Sequence, residues 1–174
     1  YKKHGIGTFV ARKQSSLGFE PLISLTYSLK AKGVEPVNIV ETDETITPDK
    51  SLMSRLKWKK RKPCHYLKRL RKAGDIPLAI EESYFSEEFK NVENKFDLTG
   101  SIAKILLEEL DITIKKVEQV VVPRIPTKQE QLKLMIDDST QVLDMERWIY
   151  IAGMDDPFYY LRFIILGNIY TLSD

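Results

Sequence analysis

The stretch Leu67-Lys68-Arg69-Leu70-Arg71-Lys72-Ala73-Gly74-Asp75-Ile76-Pro77-Leu78-Ala79-Ile80-Glu81 constrains the fold more than any other part of this 174-residue chain. It reads as a strand, a tight turn at Gly74 and a second strand. Alternate side chains of a strand share a face, so Arg69 and Arg71 point the same way. Pairing about Gly74 sets Arg69 opposite Ala79, with Glu81 one diagonal step away on the same face. Two guanidiniums and a carboxylate on one sheet face make a poor core. They make a good pocket for a small anionic, hydroxylated ligand.

The chain is long enough for one good core and a fragment of a second domain. A net charge of +2 is too small to imply nucleic-acid binding by bulk electrostatics, so any DNA contact must be local. The single cysteine, Cys64, excludes an internal disulfide framework and fits a reducing compartment, hence a cytoplasmic protein. No apolar run approaches a membrane span, and no secretory pattern opens the chain, so no membrane partner is expected. The sequence starts at Tyr1, and its first segment is expected to be the tail of a preceding domain.

Residues 1–13 carry Gly5 and Gly7 in a turn and Thr8-Phe9-Val10 in a short strand; residues 14–21 read as a linker. Leu22, Leu25, Thr26 and Leu29 recur at helical spacing up to Gly33, a C-cap. An extended segment runs from Val37 to Thr45, and Thr47-Pro48-Asp49 opens a helix. After the hairpin, residues 86–97 are polar and irregular. Thr99-Gly100-Ser101 begins a helix with Ile102, Ile105, Leu106 and Leu110 on one stripe. Residues 112–126 are β-rich, Thr127 caps another helix, and strands are expected over 141–152, 158–166 and 169–172. Interspersed helices and short turns between the late strands predict an α+β domain with a mostly antiparallel sheet and flanking helices.

Signals for catalysis are weak. His4 and His65 lack partners at metal-ligand spacing, and Cys64, beside a lysine-rich block, lacks a nucleophile motif. No P-loop, GxGxxG or GxSxG sequence is present. No catalytic residue, metal or cofactor is expected. The basic run Lys57–Lys62 fits a solvated loop or a protected sheet edge better than a phosphate site. The arginine pair is the stronger candidate. Ser101 stands at a helix start, where backbone N–H groups favour an anion. Glu81 can accept from hydroxyls or amides, and Tyr159 and Tyr160 can line a sugar-sized cavity. Two solvated strand arginines, a capping serine and core tyrosines remain the alternative reading.

Several of these segments resemble one family. Gly5-Ile-Gly-Thr-Phe-Val10 is similar to the end of the wing of a GntR-type winged helix-turn-helix domain. Arg69-Leu-Arg71 through Ile76-Pro-Leu-Ala-Ile-Glu81 resembles the signature of the UTRA effector domain. So do Leu98-Thr-Gly-Ser-Ile102, Val142-Leu143 leading to Glu146-Arg147, and Tyr170-Thr-Leu. UTRA defines the HutC-like subfamily of bacterial GntR regulators and has a chorismate-lyase-like fold.

The resemblance implies a division into residues 1–13 (the wing of a truncated DNA-binding domain), 14–21 (linker) and 22–174 (UTRA). It implies a ligand-responsive transcription regulator, a repressor, whose homodimer meets operator DNA through a mostly missing N-terminal domain. Lys2, Lys3, His4 and Gly5 are the wing-tip residues left to touch DNA. The effector would be a small anionic metabolite, a sugar phosphate. In phosphosugar-binding relatives two arginines and a serine-bearing helix start hold the phosphate and an acidic residue contacts the sugar. Carried over, these are Arg69, Arg71, Ser101 and Glu81. Ala103 stands where the family often has a tyrosine, Tyr159 where it has a glutamate, and Ile165 where a tyrosine can cap the ligand. The Arg-x-Asp-Arg-Tyr ending is replaced by Leu166-Gly-Asn-Ile-Tyr170. The sugar-facing half is therefore rewritten, and the effector need not be the amino-sugar phosphate of the best-known members. A lyase on the same fold and a dimerisation scaffold without effector are the competing readings.

Overall fold

The computed structural model describes residues 6–10, 25–86, 97–110 and 112–167. In chain order its elements are β1 (Ile6–Val10), α1 (Leu25–Ala31), β2 (Pro36–Ile46), α2 (Lys50–Leu56), β3 (Cys64–Ala73) and β4 (Ile76–Ser86). Then come α3 (Ile102–Lys104), which continues as a π-turn (Ile105–Glu109), β5 (Ile114–Arg124), α4 (Lys128–Leu134), β6 (Val142–Ile151) and β7 (Tyr159–Leu166). The strands form one sheet in the order β1-β5-β6-β7-β4-β3-β2, every neighbouring pair antiparallel. The expected α+β architecture is the one observed.

Local chemistry sets the ends of the elements. Asp49 caps α2 by accepting from Leu52 N at 2.7 Å. Thr127 and Glu130 form a reciprocal capping box at α4. Gly33, at φ +73°, ends the turn after α1, and Gly74, at φ +57°, makes the β3–β4 turn, both left-handed positions that favour glycine. The helix expected from Ile102 to Leu110 runs to Glu109 with Leu110 as its cap, but it changes type on the way. One α-turn passes into the π-turn, which buries three successive residues, Ile105, Leu106 and Leu107.

The hairpin register also differs from expectation. Arg69 pairs with Glu81 and Arg71 with Ala79, while Lys72 pairs with Pro77. Gly74 and Asp75 together form the turn, and Leu78 is an extra residue bulged out of β4 beside Pro77, which cannot donate to the ladder. The two effects add, bringing Glu81 directly opposite Arg69.

Helices pack on both faces of the sheet. Leu25 and Leu29 of α1 and Ile102, Ala103, Ile105, Leu106 and Leu107 pack with Leu67, Ala79, Phe85, Met145, Ile149, Leu161 and Phe163 in the main core. On the other face, Leu56 of α2 packs with Trp148 and Tyr160, and Leu134 of α4 packs with Ile80, Val142 and Ile164. Between them runs an alternating charged row, Glu146, Arg162, Glu82 and Lys68, each the cross-strand partner of the next. No described helix is long and apolar enough to cross a membrane.

Of the segment expected to be a wing, Ile6–Val10 pairs with β5 at one edge of this same sheet. Lys2, Lys3, His4 and Gly5, the linker 14–21 and the strand expected at 169–172 lie outside the described residues.

Candidate functional site

The main core has a polar heart. Arg69 and Arg71 are 1% and 2% exposed, and Glu81 is 1% exposed. Arg69 Nη2 donates to Glu81 Oε1 at 2.6 Å, and Arg71 Nη1 donates to Glu81 Oε2. One carboxylate thus bridges two guanidiniums, leaving the triad with one net positive charge. Burial alone would raise the Glu81 carboxyl; the charges of Arg69 and Arg71 overcome this and hold it down at about 2.

The remaining donors are tied to several elements. Arg69 Nη1 reaches the carbonyl oxygens of Leu98 at 2.8 Å and Gly100 at 2.7 Å. Arg71 Nη2 donates to Thr26 Oγ1 of α1 at 2.6 Å, and its Nε donates to Asn38 Oδ1 of β2. Asn38 Nδ2 in turn donates to the Thr99 carbonyl at 2.5 Å. Ser83 Oγ donates to Glu81 Oε1 at 3.0 Å and lies 3.2 Å from the Tyr159 hydroxyl. Arg69 Nε is buried with no acceptor among the described residues.

A small pocket opens beside this cluster, lined by Thr26, Arg69, Arg71, Glu81, Ser101, Ala103 and Tyr159 among others. Its interior is about 10 Å³, room for about one water. All five residues expected at the effector site, Arg69, Arg71, Glu81, Ser101 and Tyr159, line it. Three details differ from expectation. Glu81 spends both oxygens on the arginines rather than facing open space. The segment before α3 presents carbonyl oxygens to Arg69, and Ser101 Oγ accepts from Lys104 N at 3.3 Å as a helix cap. Tyr160 lies on the opposite sheet face from Tyr159, because neighbours along a strand alternate; its hydroxyl donates to Glu146 Oε1 at 2.5 Å. Tyr159 itself stacks on Phe85, ring centroids 4.3 Å apart.

Thr26, Asn38 and Ser83 were missed as site residues. Ser83 carried a signal, since it stands two positions after Glu81 on the same strand face. Asn38 carried none until β2 was known to pair with β3, which sets it opposite Arg71.

The other candidates are structural. Cys64 is buried, and burial pushes its thiol up to about 11 despite the charge of Lys62, so it is a poor nucleophile. His65 is buried with Nε2 3.2 Å from Asp43 Oδ1, and no group of metal-ligating side chains exists among the described residues. Lys57 bonds Glu118 at 2.5 Å and sits 3.8 Å over the Trp148 ring, while Lys62 sits 4.9 Å over Trp58. The basic run is thus held partly by aromatic and acidic partners. A larger groove, about 560 Å³, lies on the other face between α4 and the sheet, away from the arginine pair.

A carboxyl held near 2 between two guanidiniums is a weak acid–base catalyst near neutral pH. The cluster holds one negative charge, that of Glu81, between two positive ones.

The UTRA domain family matches residues 31–171. Over 171 residues the chain is 27% identical to the HTH-type transcriptional repressor NagR of Bacillus subtilis, spanning 98% of this chain and 70% of NagR. Its fold is similar to the effector domain of PhnF from Mycobacterium smegmatis, with a TM-score of 0.70, 19% identity, and coverage of 82% of this chain and 88% of that one. It is also similar to a GntR-family transcriptional regulator from Enterococcus faecalis, with a TM-score of 0.55, 19% identity, and coverage of 77% and 92%. With a match running through the strand that bears Arg69 and Arg71 and on past β7, the chain belongs to the UTRA family, the effector-binding domain of GntR-type transcription regulators.

Proposed function

We propose that this domain senses a small anionic metabolite, a sugar phosphate, through Arg69, Arg71 and the segment around Ser101, and that its occupancy controls a repressor. The observation that carries the reading is the pair of guanidiniums, almost wholly buried, converging on one negative group beside a pocket. Burying two cations inside a core is costly unless their charge is used. The likeness to NagR, a repressor by its name, supports the sense of regulation. The effector would bind one arrangement of a homodimer better than another and so bias how a preceding domain meets operator DNA in the cytoplasm.

Calorimetry with a panel of hexose and amino-sugar 6-phosphates tests this. At least one compound is expected to bind the wild-type domain and to lose binding in the Arg69→Ala/Arg71→Ala variant. Equal affinity in the double variant would overturn the reading. The scaffold reading is favoured by one observation, the interior of about 10 Å³. It gains if no member of the panel binds.

A further inference from the structure

We infer that Glu81 is a resident competitor for the arginine pair, and that this competition makes the site select a phosphoryl dianion over a carboxylate monoanion. The inference rests on the reading above that Arg69 and Arg71 bind the effector.

The space around the pair is already taken. The Glu81 carboxylate occupies the point where Arg69 Nη2 and Arg71 Nη1 converge, and the adjoining interior holds about one water. An incoming anion cannot sit beside Glu81 in that volume. It must replace the carboxylate, which then has to turn away from both guanidiniums.

That exchange discriminates by charge. A ligand carboxylate would replace Glu81 like for like: one negative charge and two oxygens against two guanidiniums. It would gain nothing at the arginines while stripping Glu81 of its partners, a heavy penalty for a buried charge. A phosphomonoester brings about two negative charges near neutral pH and matches both guanidiniums. It also brings a third terminal oxygen. The site has a donor waiting for one: Arg69 Nε is buried and lacks an acceptor among the described residues while Glu81 is in place. Two carboxylate oxygens satisfy Nη2 of Arg69 and Nη1 of Arg71 and leave that N–H unmet. Ser83, which now donates to Glu81 and lies beside the Tyr159 hydroxyl, is the neighbour that holds the competitor in position.

The experiment uses bare head groups, so that it does not depend on which sugar is recognised. Inorganic phosphate at pH 7.5 and acetate are titrated into the wild-type domain, Glu81→Gln and Glu81→Asp, following melting temperature and the arginine Nε–H resonances. Phosphate is expected to stabilise the wild type and to move the Arg69 Nε–H signal, while acetate does neither. Glu81→Gln is expected to bind phosphate roughly tenfold more tightly and to admit acetate. Glu81→Asp keeps the charge but is one methylene shorter, cannot bridge both guanidiniums, and should fall between. It serves as the test if Glu81→Gln does not fold. Equal responses of the wild type to phosphate and acetate, unchanged by either substitution, would overturn the inference and leave an anion site standing. No response to either ion in any of the three proteins would overturn both the inference and the anion-site reading beneath it.

Discussion

Arg69 and Glu81 are direct cross-strand partners on β3 and β4, and the guanidinium Nη2 lies 2.6 Å from the carboxylate Oε1 in a region 1% exposed on both sides. Removing Glu81 leaves both guanidiniums without a carboxylate, while removing Arg69 leaves Glu81 with Arg71 alone. Arg69→Ala is expected to destabilise the domain by about 3–5 kcal/mol in urea denaturation. Adding Glu81→Gln to it should lower stability further, because Arg71 then loses its carboxylate, but by less than Glu81→Gln costs in the wild type, where both guanidiniums lose theirs. A double-mutant cycle with zero coupling would contradict the pairing.

The same triad predicts an acid limb in stability. Glu81 has a folded value of about 2 against an ordinary 4.5: burial pushes it up, and Arg69 and Arg71 pull it further down. A depressed folded value means the stabilisation is complete above the unfolded value. It is lost as pH falls from about 4.5 through about 2, and amounts to about 3 kcal/mol. Unfolding free energies measured across that window should fall less steeply in Glu81→Gln than in the wild type by that amount. Parallel slopes would show that the carboxylate is not held by its neighbours.

At α4, the reciprocal cap between Thr127 and Glu130 is joined by Arg124, whose two terminal nitrogens each lie 2.7 Å from a Glu130 oxygen. Thr127→Ala should cost about 1 kcal/mol. Glu130→Ala should cost more, since it removes the box and the Arg124 pair together. Chemical denaturation of the two variants checks the order.

Leu134 is 2% exposed and is the residue by which α4 grips Ile80, Val142 and Ile164. Leu134→Ala is expected to cost about 2–5 kcal/mol in denaturation. Because this contact lies on the face opposite the arginines, phosphate binding by the folded fraction should be unchanged. A loss of affinity matching Arg69→Ala would show that the two faces are coupled.

Much of the fold was legible because periodicity and caps agreed. Gly33, Asp49, Thr127 and the Arg69–Glu81 hairpin all mark observed boundaries. The hairpin register was not legible, because it depends on Asp75 joining Gly74 in the turn and on Leu78, whose apolar side chain reads as an ordinary strand residue. Only its place after Pro77, which cannot donate to the ladder, hinted at a bulge. The π-turn after Lys104 was hidden for a similar reason: its apolar residues satisfy a helical stripe just as well. Strand parity and family likeness single out the arginines, Glu81, Ser101 and Tyr159, which the structure gathers around one small pocket. The state of Glu81 was not legible, since sequence spacing places a carboxylate near two arginines without saying which of them it faces. Thr26 was seen only as part of a helical repeat, and its hydroxyl became relevant once α1 was known to lie over β3.

The order of the strands has a consequence for how binding could be felt elsewhere. β3 and β1 stand at nearly opposite ends of the sheet, five strand spacings apart, or about 24 Å. A disturbance at Arg71 would have to cross β4, β7, β6 and β5 to reach Ile6–Val10 through the ladder. The same guanidinium touches α1 through a single 2.6 Å hydrogen bond to Thr26, on the second residue of that helix. The pocket's polar link to α1 is therefore one hydroxyl, beside the apolar packing of Leu25 and Leu29, and not the breadth of the sheet.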